Sequence, residues 1–166
     1  DDRSSTLKDL QRKILEMIVV CNVRVIAIDP LSDLLDGLTI DEQAVFMKFQ
    51  KQVVKDYNVS IINILHVRKG SGEGKSASEG KELTEEDYIG SSTIFKSSAI
   101  NLLFSRNKLE EDPIKRNTII PRLAKNRITG ITGYCGKWYY CTETHTLHDY
   151  DTYFEEHPHL LHDDEL

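Results

Sequence analysis

The chain has one tryptophan, two methionines, four prolines and three cysteines in 166 residues. So few cysteines in a chain of this size exclude a disulfide-stapled scaffold. Their odd number, Cys21, Cys135 and Cys141, points to reduced thiols and a cytoplasmic setting. No apolar run is long enough to cross a membrane: the longest, around Ile18 to Ile28, is broken by Asn22 and Arg24, and no charged-then-apolar leader precedes it. Positive charge is also in deficit. With 21 Lys and Arg against 27 Asp and Glu, the net charge of −6 excludes a surface that binds nucleic acid throughout and leaves room for a local basic loop. What remains, 39% apolar and 29% charged, is the composition of a soluble globular chain with a core of its own.

Metal ligation has one candidate pattern, Cys135-x5-Cys141-x3-His145-x2-His148. Its first loop is longer than the two to four residues usual between structural zinc cysteines, and Trp138, Tyr139 and Tyr140 inside it read as strand. A plain β-hairpin is the better reading.

Leu7, Leu10, Ile14, Met17, Ile18 and Cys21 recur at three- and four-residue steps behind Ser4, Ser5 and Thr6, which predicts a capped amphipathic helix from about Thr6 to Cys21. VRVIAID, Val23 to Asp29, is a β-branched run of the kind buried on both faces of a sheet; it ends in a carboxylate and Pro30. Thr39-Ile40-Asp41-Glu42 reads as a capping box, opening a helix whose stripe is Phe46, Phe49, Val53 and Tyr57. A second apolar strand, VSIINILHV (Val59 to Val67), follows. Strand, helix, strand in this order predicts a right-handed βαβ unit with parallel strands, at whose carboxyl ends ligands collect. Asp29 and His66 both fall there.

From Arg68 to Ile89 the sequence reads as a long loop, basic and glycine-rich in RKGSGEGK and acidic from Glu79 to Asp87; only the first half suits phosphates. A short helix from about Ser91 to Ser98 and a third strand, Ala99 to Arg106, come next. A fourth strand spans about Asn117 to Asn126, with Pro121 suggesting an edge or a bulge. Lys125 and Arg127 stand where that strand breaks into ITGITG. A Lys-x-Arg at a strand end is usually a solvated pair, and it gains meaning only in company. The last ordered unit is a hairpin, GYCGKWYYC against THTLHDY, turning near Thr142 to Thr144. From Asp149 onward come seven acidic residues and no Lys or Arg, and four of the six histidines lie at or after His148. That segment, 149–166, reads as an acidic solvated tail, with docking to a basic partner as the alternative.

Taken together, Asp29 and His66 on neighbouring strands, a basic loop after the second, and Lys125 with Arg127 on a later strand form one constellation. It resembles the RecA-like motor domain of hexameric replicative DNA helicases, of the phage primase-helicase and bacterial replicative helicase type, from about Val23 to Leu147. VIAIDPLSDL is similar to the Walker B strand, which implies that Asp29 holds Mg²⁺ through water. IINILHVRK is similar to the motif ending in a phosphate-sensing histidine, His66. The resemblance implies that Arg68, Lys69 and Lys75 meet single-stranded DNA phosphates. It also implies a second DNA-facing loop at Gly90, Ser91, Ser92 and Lys96, although Ile89 stands where the family often carries a basic residue. LAKNRITGITG is the most specific match, with Arg127 as an arginine finger and Lys125 its companion, both serving the adjacent subunit's nucleotide. Arg106 and Tyr140 match positions that sandwich the nucleotide base.

The implied fold is α/β: a RecA-like core with a mainly parallel sheet flanked by helices over 1–148, a C-terminal β-hairpin, and the tail 149–166. The implied activity is ATP or dTTP hydrolysis with Mg²⁺ by a homo-hexameric or heptameric ring moving on single-stranded DNA, the tail engaging a replicative DNA polymerase. Such a motor needs GxxxxGK followed by Ser or Thr, and a glutamate on the next strand. The sequence has neither: GEGKS (72–76) lacks the spacing and follows the wrong strand. The expectation is the C-terminal part of a motor domain, inactive alone, with the phosphate loop upstream of Asp1. Two other readings stand beside it, another RecA-like ATPase of recombinase type and a non-catalytic assembly or polymerase-docking module.

Overall fold

The computed structural model describes residues 2–66, 79–80, 83–84 and 92–161. The chain divides into two units, Asp1–Val67 with Tyr88–Ser98, and Arg68–Asp87 with Ala99–Leu166.

The first unit contains α1 (Asp2–Val19), β1 (Val25–Ile28), α2 (Leu31–Leu35), α3 (Ile40–Tyr57), β2 (Ser60–Asn63) and α4 (Ser92–Ser97). Helix α1 begins ahead of Ser4, Ser5 and Thr6, so these residues lie within the helix rather than before it. The capping box forms as the sequence predicts. The Glu42 amide donates to Thr39 Oγ1 at 3.3 Å, and the Thr39 amide donates to Glu42 Oε2 at 2.8 Å. At its other end α3 closes on Asn58 in the left-handed region. Ile14 and Ile18 of α1, Ile26 of β1, Val53 of α3 and Val59 form one buried cluster; Leu31, Leu35, Phe46, Met47 and Ile94 form a second.

β1 and β2 pair in parallel, as the βαβ pattern requires, with Val25 opposite Ser60 and Ile28 opposite Asn63. The expectation of burial on both faces does not hold. Ile26 packs into the core, whereas Val25, Ala27, Ile62 and Ile64 on the alternate face are exposed, Ile62 by 52%. The physical reason is that α1 and α3 contribute to the cluster on one face only.

The second unit is built differently from the expected parallel sheet. Its strands are β3 (Ile100–Ser105), β4 (Thr118–Asn126), β5 (Gly133–Tyr134), β6 (Trp138–Cys141) and β7 (Thr146–Asp149). They form a five-stranded sheet in the order β3-β4-β6-β7, with β5 also on β4, and every pairing is antiparallel. The links explain the direction. Between β3 and β4 the only helix is α5 (Pro113–Arg116), one turn capped by Asp112, too short to carry the chain back along the sheet. The later strands are joined by tight turns, among them the hairpin expected between β6 and β7.

Pro121 is neither at an edge nor at the bulge. It is fully buried in β4, the most connected strand of the sheet, opposite Phe104. Its carbonyl accepts from the Cys135 amide at 3.0 Å, so its nitrogen faces the edge shared by β5 and β6. There the pairing passes from β6, at Ile119, to β5, at Arg122, and no ladder hydrogen bond is lost.

Residues 150–161, expected as a solvated tail, are structured. Asp149 caps α6 (Tyr150–Glu156) by accepting from the Thr152 amide at 3.0 Å, and a 3-10 turn, Pro158–Leu161, follows. Phe154 is buried with its ring centroid 4.9 Å from that of Tyr139, which docks α6 on the hairpin. The spacing of acids hid one apolar anchor. Among the described residues no helix is long and apolar enough to cross a membrane.

Candidate functional site

In the first unit the candidate site is the carboxyl end of the parallel pair. The register brings Ile28 level with Asn63, and the ladder runs one step further, the Ile64 amide donating to the Ile28 carbonyl at 2.9 Å. The Leu31 amide then donates to the Ile64 carbonyl at 2.8 Å, so the chain leaving β1 is tied to the chain leaving β2. Asp29 follows β1 directly, and His66 stands three residues beyond β2; both are exposed. The parallel direction places both exits at the same end of the pair, which the strand pattern predicted.

The sequence reading missed an amide pair beside these exits. Gln50, on the buried face of α3 and only 4% exposed, donates through Nε2 to Asn63 Oδ1 at 3.1 Å. Asn63 Nδ2 donates back to Gln50 Oε1 at 2.8 Å. The available signal was a glutamine one turn after Phe46 and one before Val53, at a core position of the stripe.

In the second unit the candidate residues gather around β4. Opposite Asn101 stands Lys125, but opposite Leu102 stands Leu123, so Ala124 is an extra residue in a β-bulge. The bulge breaks the two-residue alternation and puts Lys125 on the face of Asn101, away from Leu123. Beyond it, the Arg127 amide donates to the Ala99 carbonyl at 2.9 Å, which fixes the backbone from which this exposed cation projects. The turn is braced by Asn126. Its Oδ1 accepts from the Ile128 amide at 3.0 Å and the Thr129 amide at 3.3 Å, and its Nδ2 donates to Thr129 Oγ1 at 2.6 Å. Gly130 has φ +74° with open space around a would-be Cβ, so glycine is needed there for its backbone.

Arg106 follows β3, half-buried, and its Nε is buried with no hydrogen-bond partner among the described residues. Tyr140, in β6, shares a 2.9 Å hydrogen bond between its hydroxyl and His145 Nδ1. β4 lies between β3, which Arg106 follows, and β6, which holds Tyr140. Lys96 stands in the last turn of α4, and Ser92 opens that helix. Arg68, Lys69, Lys75, Gly90 and Ser91 lie outside the described residues.

The four residues weighed as zinc ligands have separate partners. Cys141 is buried and accepts from the Tyr153 hydroxyl, His145 meets Tyr140, His148 Nε2 meets Thr146 Oγ1 at 2.7 Å, and the exposed Cys135 thiol donates to the Gly133 carbonyl at 3.8 Å. Among the described residues no three His, Cys, Asp or Glu side chains lie together as a metal site. A single exposed carboxylate such as Asp29 fits Mg²⁺, which keeps several waters and draws its other ligands from substrate phosphates.

Compared with known proteins, the chain matches no family model and no curated protein sequence.

Proposed function

We propose that the chain is part of an ATP-driven ring helicase that moves on single-stranded DNA, and that its two units form part of a RecA-like motor. The observation that carries the reading is the pair of exits, Asp29 and His66, at one end of two parallel strands. In this reading Mg²⁺ bound to a nucleotide supplies charge neutralisation at the phosphates. Asp29 holds it through water, and His66 senses the terminal phosphate. Arg127, on a backbone fixed by Ala99 and next to a turn braced by Asn126, serves as a guanidinium donor to the phosphates of an adjacent subunit, with Lys125 beside it. Arg106 and Tyr140 flank β4 and take the base by cation–π and ring stacking. Arg68, Lys69 and Lys75, with Gly90, Ser91, Ser92 and Lys96, meet the DNA backbone, which takes a local basic loop despite the acidic net charge.

The open strand edges support the same reading. Among the described residues β2 and β3 each have a strand neighbour on one side only. The exposed face of Val25, Ala27, Ile62 and Ile64 likewise lacks an apolar cover among the described residues. A phosphate-loop strand and its helix are parts that this class of motor needs and this sequence lacks.

The test uses a polypeptide that joins this chain to a phosphate loop. DNA-stimulated ATP hydrolysis and unwinding of a forked duplex are expected. Arg127→Ala is expected to abolish hydrolysis while leaving the subunit folded, and doped into parental rings it is expected to lower their activity. Mixed rings that lose no activity would contradict action across the interface. A complete polypeptide with no phosphate loop would sink the helicase reading.

A further inference from the structure

We propose that Gln50 and Asn63 are a positioning pair, fixing the strand ends from which Asp29 and His66 project; its catalytic meaning rests on the motor reading above. Gln50 sits on α3 between Phe46 and Val53, in a face otherwise apolar. Two apolar side chains of similar size would fill that place with no desolvation of amides, so the pair is not explained by stability. Its geometry is what apolar side chains do not supply. Apolar contacts tolerate small slides of a helix over a strand, whereas two reciprocal hydrogen bonds, 3.1 and 2.8 Å, are satisfied together in one register only. A slide of α3 by one residue breaks both at once.

The position of the pair gives that register its consequence. Asn63 ends β2 and lies level with Ile28, the last residue of β1. The next two backbone bonds, Ile64 to Ile28 and Leu31 to Ile64, knit the exits together. Gln50 is therefore a side-chain anchor from the helix layer to the end of the ladder. Asp29 and His66 are exposed and gain their placement from the backbone beneath them.

The experiment compares the parent chain with the double variant Gln50→Leu/Asn63→Leu, which removes both amides and leaves neither unpaired, and with Gln50→Glu. Hydrogen exchange is read at the Leu31 and Ile64 amides and, as reference, at the Ile26 amide inside the ladder. His66 ring signals are followed by NMR against His145, His148 and His157. In the double variant, exchange at Leu31 and Ile64 is expected to quicken about tenfold relative to Ile26, with His66 signals broadened and the other histidines unchanged. A merely structural role would speed all amides alike. In Gln50→Glu a carboxylate faces the Asn63 carbonyl oxygen and repels it; the protonated acid is an isostere of the amide. Its Leu31 and Ile64 exchange, corrected for intrinsic pH dependence, is expected to return towards parental as pH falls.

A folded double variant with parental exchange at Leu31 and Ile64 and parental His66 signals would overturn the proposal. The joined polypeptide carrying a phosphate loop separates this from the motor reading, because there the double variant is expected to lose kcat for ATP with little change in KM. Selective loosening with unchanged kcat would uphold the anchor and overturn the role of these strand ends in hydrolysis.

Discussion

The Tyr153 hydroxyl donates to the sulfur of Cys141 across 3.7 Å, joining helix α6 to strand β6. The contact changes both groups in opposite senses. Hydrogen bonds from the Thr144 side chain and backbone, and then from Tyr153, pull the Cys141 thiol down to about 7. The hydrogen bond to Cys141, and then burial, push Tyr153 up to about 12, since an ionised phenol has no proton to donate.

A pH profile of stability follows. Between the lowered folded value of Cys141, about 7, and its ordinary value of 9.0, the unfolded chain binds more protons, so this group makes stability rise with pH. Its contribution is fully present above the ordinary value and lost as pH falls through about 7. Tyr153 acts in the other direction: its contribution is full below its ordinary 10.0 and lost as pH rises through about 12. Urea titrations across this range are expected to show a rise, a plateau and a fall, and Cys141→Ser is expected to remove the rise.

Tyr153→Phe removes one donor from the sulfur and keeps the ring that packs 5.0 Å from Tyr139. The Cys141 thiol is expected to titrate higher than in the parent, read by thiolate absorbance in a chain whose exposed Cys21 and Cys135 are replaced by serine. An unchanged titration would mean that Tyr153 has no part in it and that the turn residues Thr144 and Glu143 lower it.

Thr39→Ala opens the first turn of α3. It removes the acceptor of the Glu42 amide and the Thr39 side-chain donor to Glu42, and the expected cost is about 1 kcal/mol by chemical denaturation. Hydrogen bonds from the Thr39 backbone, then its side chain, hold Glu42 below the usual carboxylate range, so the parent also loses this support as pH falls through that lowered value. The alanine variant is expected to have a shallower acid limb.

Phe46 is fully buried between α3 and the Leu31–Leu35 helix, with its ring 6.1 Å from that of Phe49. Phe46→Ala is expected to cost about 3–5 kcal/mol through lost transfer energy and the cavity left behind. Parental denaturant midpoints for this variant would show that the second cluster is not cooperative with the rest.

How much was legible depended on the range of the cause. The capping box at Thr39 and Glu42 was legible because it is closed within four residues. The parallel β1–β2 pair was legible because a helix between two apolar runs admits one handed crossover, and with it came the common end that carries Asp29 and His66. The hairpin of β6 and β7 was legible from alternation about a turn. Pro121 misled, since whether a missing N–H matters depends on which strand lies beside it, and that strand changes there from β6 to β5. Lys125 was found by type and placed by the bulge at Ala124, which no local pattern announces. The α6 helix was hidden because one phenylalanine among acids has no periodicity until Tyr139 faces it.

By itself the sequence determined the two long helices and two strands of the first unit, the direction of its parallel pair and the glycine turn that ends β4, because each is decided by neighbours along the chain; the short helix Leu31–Leu35 was not among them. Only the tertiary structure decided that the second sheet is antiparallel, that β1 and β2 are covered on one face, that Gln50 meets Asn63 and that Cys141 meets Tyr153. Those outcomes depend on pairings between residues far apart in sequence, where strand edges, helix faces and reciprocal hydrogen bonds compete for partners that propensity and periodicity do not name.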